Sequence, residues 1–321
     1  MKSINAVSIS GSNLDPFARD MLMALRQRPR AISPKYFYDA RGSELFEQIC
    51  DLPEYYPTRT ELGILQNNAE TITGMMGEHA ELIEFGAGSL RKVRLLLDAM
   101  RSPGRYLPID ISGEFLQQSA SSLQQSFPAL DIVPVVADYT HTFRLPELRD
   151  HRARRIGFFP GSTIGNFKPQ EALDFLKMAA RLLKGGALIL GADLIKSPHL
   201  LHQAYNDSQG VTADFNLNVL ARANRELNTN FRLDQWAHYA FYNATQQRIE
   251  MHLISRCRQL VKLCDQQFDI AEGDSIHTEN SYKFSLDGLA QLATSAGFRL
   301  GPVWTDPERL FCLAWLEAPS P

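Results

Sequence analysis

Through the middle of the chain, short apolar runs alternate with longer stretches of helical periodicity. Apolar strands are predicted at residues 80–85, 105–109, 132–136, 156–159 and 187–190, each bounded by polar or turn-forming positions. Between the first two, Val93, Leu96, Leu97 and Met100 recur at helical spacing over 91–100. Between the fourth and fifth, Leu173, Phe175, Leu176 and Leu183 do the same over 169–183, and Lys184-Gly185-Gly186 stops that helix. Strands alternating with helices make a parallel sheet with covered faces, so residues 80–193 read as a five-stranded α/β half-sheet. The tail differs: 286–296 reads as a helix ended by Gly297, followed by strands at 298–304 and 310–316 joined through Asp306-Pro307 as a hairpin.

A parallel half-sheet closed by a hairpin resembles the class I, Rossmann-like methyltransferase architecture, a fold-level analogy that does not by itself assign function. Two segments fall outside it, 1–61 and 195–284, and the second is too long to be a plain loop. The expected organisation is therefore an α/β cofactor-binding domain from 62–194 and 285–321, with 1–61 and 195–284 packed together as a substrate-binding lobe over the cofactor cleft.

Composition narrows the partners. The 33 basic and 36 acidic residues leave a formal charge of -3, which disfavours a nucleic-acid substrate. The densest basic stretch, 149–155, reads as a solvated turn. Cys50, Cys257, Cys264 and Cys312 are scattered without Cys-x-x-Cys spacing, which fits neither a disulfide framework nor a zinc site. His199 and His202 have no third ligand nearby in sequence, so no metal site is expected. The N-terminus has no sustained apolar core, and no apolar run of roughly 18 residues appears, so the expected setting is cytoplasmic, with no membrane partner. Oligomeric state is not readable.

The first strand turns into the first helix through Glu84-Phe85-Gly86-Ala87-Gly88-Ser89. Glycine there lets the backbone approach a ligand and take positive φ. A dinucleotide fingerprint would place a third glycine where this chain has Arg91. With an acid inside the turn, the pattern favours a ligand bearing an ammonium and a carboxylate rather than pyrophosphate, and S-adenosylmethionine fits. The second strand ends in Asp110, placed to accept ribose hydroxyls, and Asp138-Tyr139 follows the third strand, placed to meet the adenine amino group and base. Each feature alone is weak, but ligands of such sheets bind outside the carboxyl ends of the strands, where all three fall.

The substrate side is more specific. Leu52-Pro53-Glu54-Tyr55-Tyr56-Pro57-Thr58-Arg59-Thr60-Glu61, Gly161-Ser162-Thr163-Ile164-Gly165-Asn166, Ala204-Tyr205 with Gly210-Val211-Thr212, Arg248-Ile249-Glu250-Met251 and Glu279-Asn280-Ser281-Tyr282-Lys283-Phe284 occur in order over nearly the whole chain. Together they resemble the histidine N-α-methyltransferases of ergothioneine biosynthesis. The resemblance implies an enzyme that uses S-adenosylmethionine to convert L-histidine to its trimethylated betaine, hercynine. It implies a cofactor held by Gly86, Lys92, Asp110, Asp138 and Tyr139, a histidine carboxylate held by Asn166 and Tyr205, and an imidazole read by Glu279 and Ser281. Tyr56 matches a tyrosine near the reacting amine, and Tyr38 a further one near the substrate. The run Ser89-Leu90-Arg91-Lys92 departs from the Thr-Ser-x-Lys form of actinobacterial members but keeps the lysine.

Strand alternation supports this reading independently: Glu279, Ser281 and Lys283 share one face, so a carboxylate and a hydroxyl can meet the two nitrogens of one imidazole. Met251 is a candidate wall of that pocket. Methyl transfer is an in-line displacement needing a positioned, unprotonated amine and no covalent nucleophile. Which tyrosine, Tyr56 or Tyr38, assists the proton is open. The rivals are a methyltransferase for another small amine or amino acid and a cofactor-binding regulatory module without turnover.

Overall fold

The computed structural model describes residues 15–88, 90–141, 143–150 and 153–320; Ser89 and the centre of the basic run fall outside them. The chain begins with α1 (Pro16–Arg26), β1 (Arg30–Ala31), a 3-10 turn (Pro34–Phe37), α2 (Ala40–Asp51) and α3 (Tyr56–Met76). The central region follows with β2 (Glu81–Phe85), α4 (Leu90–Ala99), β3 (Arg105–Asp110), α5 (Gly113–Ser126), β4 (Asp131–Ile132), β5 (Val135–Val136), β6 (Arg155–Phe159), a 3-10 turn (Thr163–Asn166), α6 (Pro169–Leu182) and β7 (Ala187–Asp193). Then come α7 (Pro198–Tyr205), α8 (Val211–Leu227), β8 (Trp236–Asn243), β9 (Arg248–Ser255), β10 (Gln259–Leu263), β11 (Gln266–Ile270) and β12 (Ser275–Tyr282). The chain closes with α9 (Leu286–Ser295), β13 (Arg299–Thr305) and β14 (Phe311–Glu317).

Among the described residues the large sheet has eight strands in the order β13-β14-β7-β6-β2-β3-β4, with β5 also on β3. The strands from β2 to β7 pair in parallel, and β14 joins β7 antiparallel. Both faces are covered, which is why β2 is buried at every position. Ile83 and Phe85 pack toward α6 and α9, while Leu82 packs toward α3 and α4. After β4 and β5 the chain returns to the other side of β2, so the strand order reverses between β2 and β6. The carboxyl ends of those two strands form the switch point at which sheets of this class bind ligands.

Two expectations need correction. The third strand is not continuous over 132–136 but splits into β4 and β5 around Val133 and Pro134, because proline has no N–H to give to a ladder. The basic run 149–155 is not a solvated turn throughout. Arg154 donates to the carbonyls of Gly185 and Met75, and Arg155 bonds the buried Glu81 carboxylate and the Pro146 carbonyl.

A second, four-stranded sheet has the order β1-β12-β9-β8, and β10 and β11 form a separate hairpin. One apolar cluster joins Phe17, Phe37, Leu45 and Tyr56 to Leu201, Phe215, Val219, Ile249, Met251 and Ile276. The two sheets meet where β7 ends: Phe284 N donates to Asp193 O at 2.9 Å and Ile195 N to Phe284 O at 3.0 Å. No helix among the described residues is long and apolar enough to cross a membrane.

Candidate active site

The turn after β2 is set by Gly86, whose φ of 76° lies in the left-handed region that favours glycine. A Cβ there would stand 3.2 Å from the Tyr139 hydroxyl, so the tyrosine ring lies directly over the turn. Phe85, Phe159 and Phe175 pack around that ring, and burial raises the Tyr139 phenol. At the end of β3, Asp110 Oδ1 accepts from Ser112 N at 2.8 Å, and burial raises its carboxyl. Asp138 Oδ1 accepts from Thr140 N at 2.9 Å, and Lys35 Nζ approaches Asp138 Oδ2 to 3.9 Å. Glu84, last but one in β2, is buried and pushed up to about 8 by desolvation, with the Tyr106 hydroxyl donating to it.

Lys92 reaches back from α4 to Glu61 on α3, Nζ to Oε2 2.6 Å. Burial lowers this lysine, but the charge and hydrogen bond of Glu61 outweigh it and the net shift is upward. The Gly161 N–H also lies on the Glu61 carboxylate, at 3.0 and 2.9 Å from its two oxygens. One fully buried acid thus ties the helix carrying Lys92 to the loop after β6.

That loop runs into the 3-10 turn ending at Asn166. A Cβ on Gly165 would stand 2.8 Å from the Tyr282 carbonyl oxygen, so only glycine lets the turn lie against β12. This contact brings Asn166 beside the strand that carries Glu279 and Ser281.

β12 contains a bulge. His277 pairs with His252, yet Glu279 pairs with the next residue of β9, Met251, leaving Thr278 extra. Directly opposed residues share a face, so the bulge turns Glu279 onto the inner face with Met251 and leaves His277 on the outer one. Thr278 Oγ1 donates to Asn216 Oδ1 at 2.7 Å and holds the irregularity. Glu279 is 8% exposed. Its carboxylate makes no hydrogen bond to the described residues, and burial, partly offset by Lys283, pushes it up to about 7.

Ser281 Oγ accepts from the Tyr205 hydroxyl at 2.7 Å and from Lys283 Nζ at 2.7 Å. Lys283, with no exposed side-chain surface, pairs with Asp193 Oδ2 at 2.8 Å, and Lys196 takes Asp193 Oδ1 at 2.5 Å. Burial would raise the Asp193 carboxyl, but the two lysines hold it below its usual range. Burial pushes Lys196 down to about 8 despite Asp193.

The tyrosines divide. The Tyr56 hydroxyl donates to Asp193 Oδ2 at 2.7 Å, with Lys196 Nζ 4.5 Å from its ring centroid. Burial and then the Asp193 charge raise this phenol strongly. Tyr38 packs edge-on against Phe46 and Phe215 and is raised by burial and next by Glu279 and Tyr139. Tyr55, absent from the sequence-derived set, stands with its ring 6.4 Å from that of Tyr205 and is raised by burial, Tyr205, Cys50, Tyr38 and Glu279.

The structure therefore gathers Tyr38, Tyr205, Met251, Glu279 and Ser281 around one interior region, with Asn166 on the adjoining turn and Tyr139 joining it to the glycine turn. Sequence reasoning missed Tyr55, Glu61, Asp193, Lys196 and Lys283 as site residues. Tyr55 and Glu61 lie inside the Tyr-Tyr-Pro-Thr-Arg-Thr-Glu motif, and Asp193 ends a parallel strand as Asp110 does, so signals for them existed.

Comparison with known proteins agrees in direction. The family described as histidine-specific methyltransferase, SAM-dependent, matches residues 17–318. The chain is 40% identical over 310 residues to the histidine N-alpha-methyltransferase of Mycolicibacterium smegmatis, covering 94% of this chain and 95% of that protein. It is 39% identical over 296 residues to the protein of the same name from Mycobacterium tuberculosis, covering 90% of each. It is 25% identical over 337 residues to a 4-dimethylallyltryptophan N-methyltransferase of Claviceps purpurea, covering 95% of this chain and 96% of that protein.

Proposed function

Because the chain belongs to the histidine-specific, S-adenosylmethionine-dependent methyltransferases, we propose that it methylates the α-amino nitrogen of L-histidine, in three rounds to hercynine, as a step of ergothioneine biosynthesis. The names of the mycobacterial relatives support the position of methylation. The observation that carries the substrate assignment is Glu279, a buried residue whose carboxylate takes no hydrogen bond from the described residues, two residues from a hydroxyl on the same inner face. A carboxylate in so buried a setting gains most from a directed donor, and an imidazole N–H supplies one.

Ser281 answers the other ring nitrogen. Its oxygen already accepts from Tyr205 and Lys283, so its own proton is free to be donated into the pocket. Glu279 as acceptor and Ser281 as donor select a neutral imidazole in one tautomer. Asn166 and Tyr205 hold the substrate carboxylate, the Tyr205 hydroxyl turning its one proton from Ser281 to that carboxylate while Lys283 keeps donating to Ser281, and Met251 closes the wall. Lys283 and Asp193 are positioning residues: the lysine donates to Ser281 and lies 3.4 Å from the Tyr205 hydroxyl, while Asp193 holds the lysine.

The residues around Gly86 suit the cofactor, since the glycine leaves room for close approach, Asp110 offers a carboxylate and Tyr139 an aromatic face. Gly86, Lys92, Asp110, Asp138 and Tyr139 would hold S-adenosylmethionine, which supplies an electrophilic methyl group when bound. Tyr38, raised by burial and then by the charges of both Glu279 and Tyr139, is the group we place beside the reacting amine, and Tyr56 bonds Asp193. Ring faces of this kind stabilise the trimethylammonium product by about 0.5–2 kcal/mol.

We assign the described residues of 62–194 and 285–320 to the cofactor domain and those of 15–61 and 195–284 to the substrate lobe, a division supported by the apolar cluster that joins Phe17 through Tyr56 to Leu201 through Ile276; residues 1–14 and 321 lie outside the described residues. The four cysteines are free, which suits a cytoplasmic setting. Mass spectrometry of histidine incubated with the protein and methyl donor tests the proposal: mono-, di- and trimethylated histidine are expected, and cofactor binding without any methylated histidine refutes it.

A further inference from the structure

The outer face of the β9–β12 pair carries side chains that methyl transfer leaves unused. His252 and His277 are cross-strand partners whose rings stack with centroids 4.7 Å apart. Glu250 lies two residues before His252, hence on the same face, and its Oε2 is 3.1 Å from His252 Nε2. Two adjacent strands thus present two imidazoles and one carboxylate together, with one donor atom from each lying within 4.8 Å of the others. We propose that Glu250, His252 and His277 form a binding site for a first-row divalent cation of borderline softness, such as Zn2+.

The surroundings orient these groups as ligands. Metal-binding histidines commonly donate their second ring nitrogen to a carbonyl, and outer partners fix ligating carboxylates. His277 Nε2 lies 2.9 Å from the Glu279 carbonyl oxygen. A carbonyl only accepts, so this nitrogen carries the proton and Nδ1 keeps its lone pair. Glu250 Oε1 is held by Asn243 Nδ2 at 2.8 Å and Arg248 Nη2 at 2.7 Å, which leaves Oε2 turned to the histidines. Arg248 is itself anchored on the Tyr282 hydroxyl at 2.6 Å. Between His252 Nε2 and Glu250 Oε2 a proton now bridges the pair, and a bound cation would replace it. The donor set of two nitrogens and one oxygen selects zinc-like ions over Mg2+ or Ca2+, which prefer all-oxygen shells, and the positive Arg248 further disfavours weakly held ions. Three protein ligands leave a position for water.

The site owes its existence to the bulge that leaves His277 on the outer face while Glu279 turns inward. It lies on the reverse of the strand pair whose inner face carries Met251 and Glu279, so a cation there would pin the two strands together. No sequence spacing reveals it, because His252 and His277 belong to different strands separated by the β10–β11 hairpin.

Calorimetric titration of the whole protein with Zn2+, without added histidine because histidine chelates zinc, tests the proposal. The wild type should bind one ion at this site and melt at higher temperature with it. His252→Ala and His277→Ala should lose that binding and that rise in melting temperature, and Glu250→Gln should weaken binding by roughly tenfold or more. His199→Ala should bind as the wild type does. Co2+ titration adds a visible-region absorption band expected in the wild type and absent from both histidine variants, and metal-free melting curves show which variants are folded. Undiminished Zn2+ binding in folded His252→Ala or His277→Ala, or no binding by the wild type, overturns the proposal.

Discussion

Glu279 and Asp193 are both buried acids, yet their surroundings give them different work. Asp193 is covered by two lysines and a phenol, whereas Glu279 has only the distant Lys283. Replacing Lys283 with Met should therefore act twice. Removing one partner of a buried ion pair costs about 3–5 kcal/mol, and Lys196, still on Asp193, keeps the loss near the lower end. The KM for histidine should rise as Ser281 and Tyr205 lose their donor, with cofactor affinity spared. Denaturant melts and steady-state kinetics check both, and unchanged stability would mean the pair contributes nothing. On the cofactor side, Asp110→Ala should weaken binding of the demethylated cofactor by about 1–3 kcal/mol in calorimetry; an unchanged affinity removes Asp110 from the site. The places of individual candidate residues in the fold were readable from the sequence where a motif or strand end marked them, as for Gly86 after β2, Asp110 at the end of β3 and Glu279 in β12. Lys283 was visible only as a neighbour on the Glu279 face, because its partner Asp193 lies on another sheet and no local pattern records that contact.

Single elements place these residues, and the 3-10 turn Thr163–Asn166 shows how closely. Gly165→Ala would drive a Cβ to 2.8 Å from the Tyr282 carbonyl, and overpacking of this sort typically costs about 1–3 kcal/mol. The turn should move off β12 and carry Asn166 with it, so the KM for histidine should rise more than the dissociation constant for the cofactor. Equal changes in both would show that the turn shapes the whole cleft rather than the substrate side. The parallel strands were readable because burial on both faces makes their sequences nearly continuously apolar, and α4 and α6 because their apolar residues recur at helical spacing; α5 was not singled out. Of the small sheet only the run at 279–284 was read as a strand: β8 and β9 mix apolar residues with polar ones such as the half-buried Arg248 and His252, a pattern that a long insertion obscures. Nor does sequence alternation foresee the bulge at Thr278, which an inserted residue creates without a compositional mark.

At the scale of the molecule, two sheets enclose acids whose charges burial opposes, Glu84 and Glu279 among them. Glu84 is held near 8 when folded against an ordinary value of 4.5. Between those values the folded chain keeps a proton that the unfolded chain releases, so this group's contribution is complete below the lower value and is lost as pH rises through the upper. Stability should decline from about pH 4.5 to about pH 8, and Glu84→Gln should flatten part of that decline; thermal melts across the range decide, and an unaltered slope would show Glu84 ionised in the fold. The overall architecture was largely legible as strand and helix alternation, and the packing of the N-terminal segment with the long insertion was expected because both fall outside that alternation; the individual contacts that make it, such as Phe37 against Phe215, were not. The central claim is that Glu279, with Ser281, reads the imidazole and thereby makes histidine the acceptor. Its most direct test offers histidine, tryptophan, phenylalanine and leucine together to the wild type, Glu279→Ala and Glu279→Ala/Met251→Val, and compares the methylated products. The account predicts methylated histidine almost alone from the wild type, kcat/KM for histidine lowered roughly tenfold to a hundredfold by Glu279→Ala, and a shift toward the apolar amino acids that grows when Met251 is shortened. An undiminished preference for histidine in both variants would contradict it.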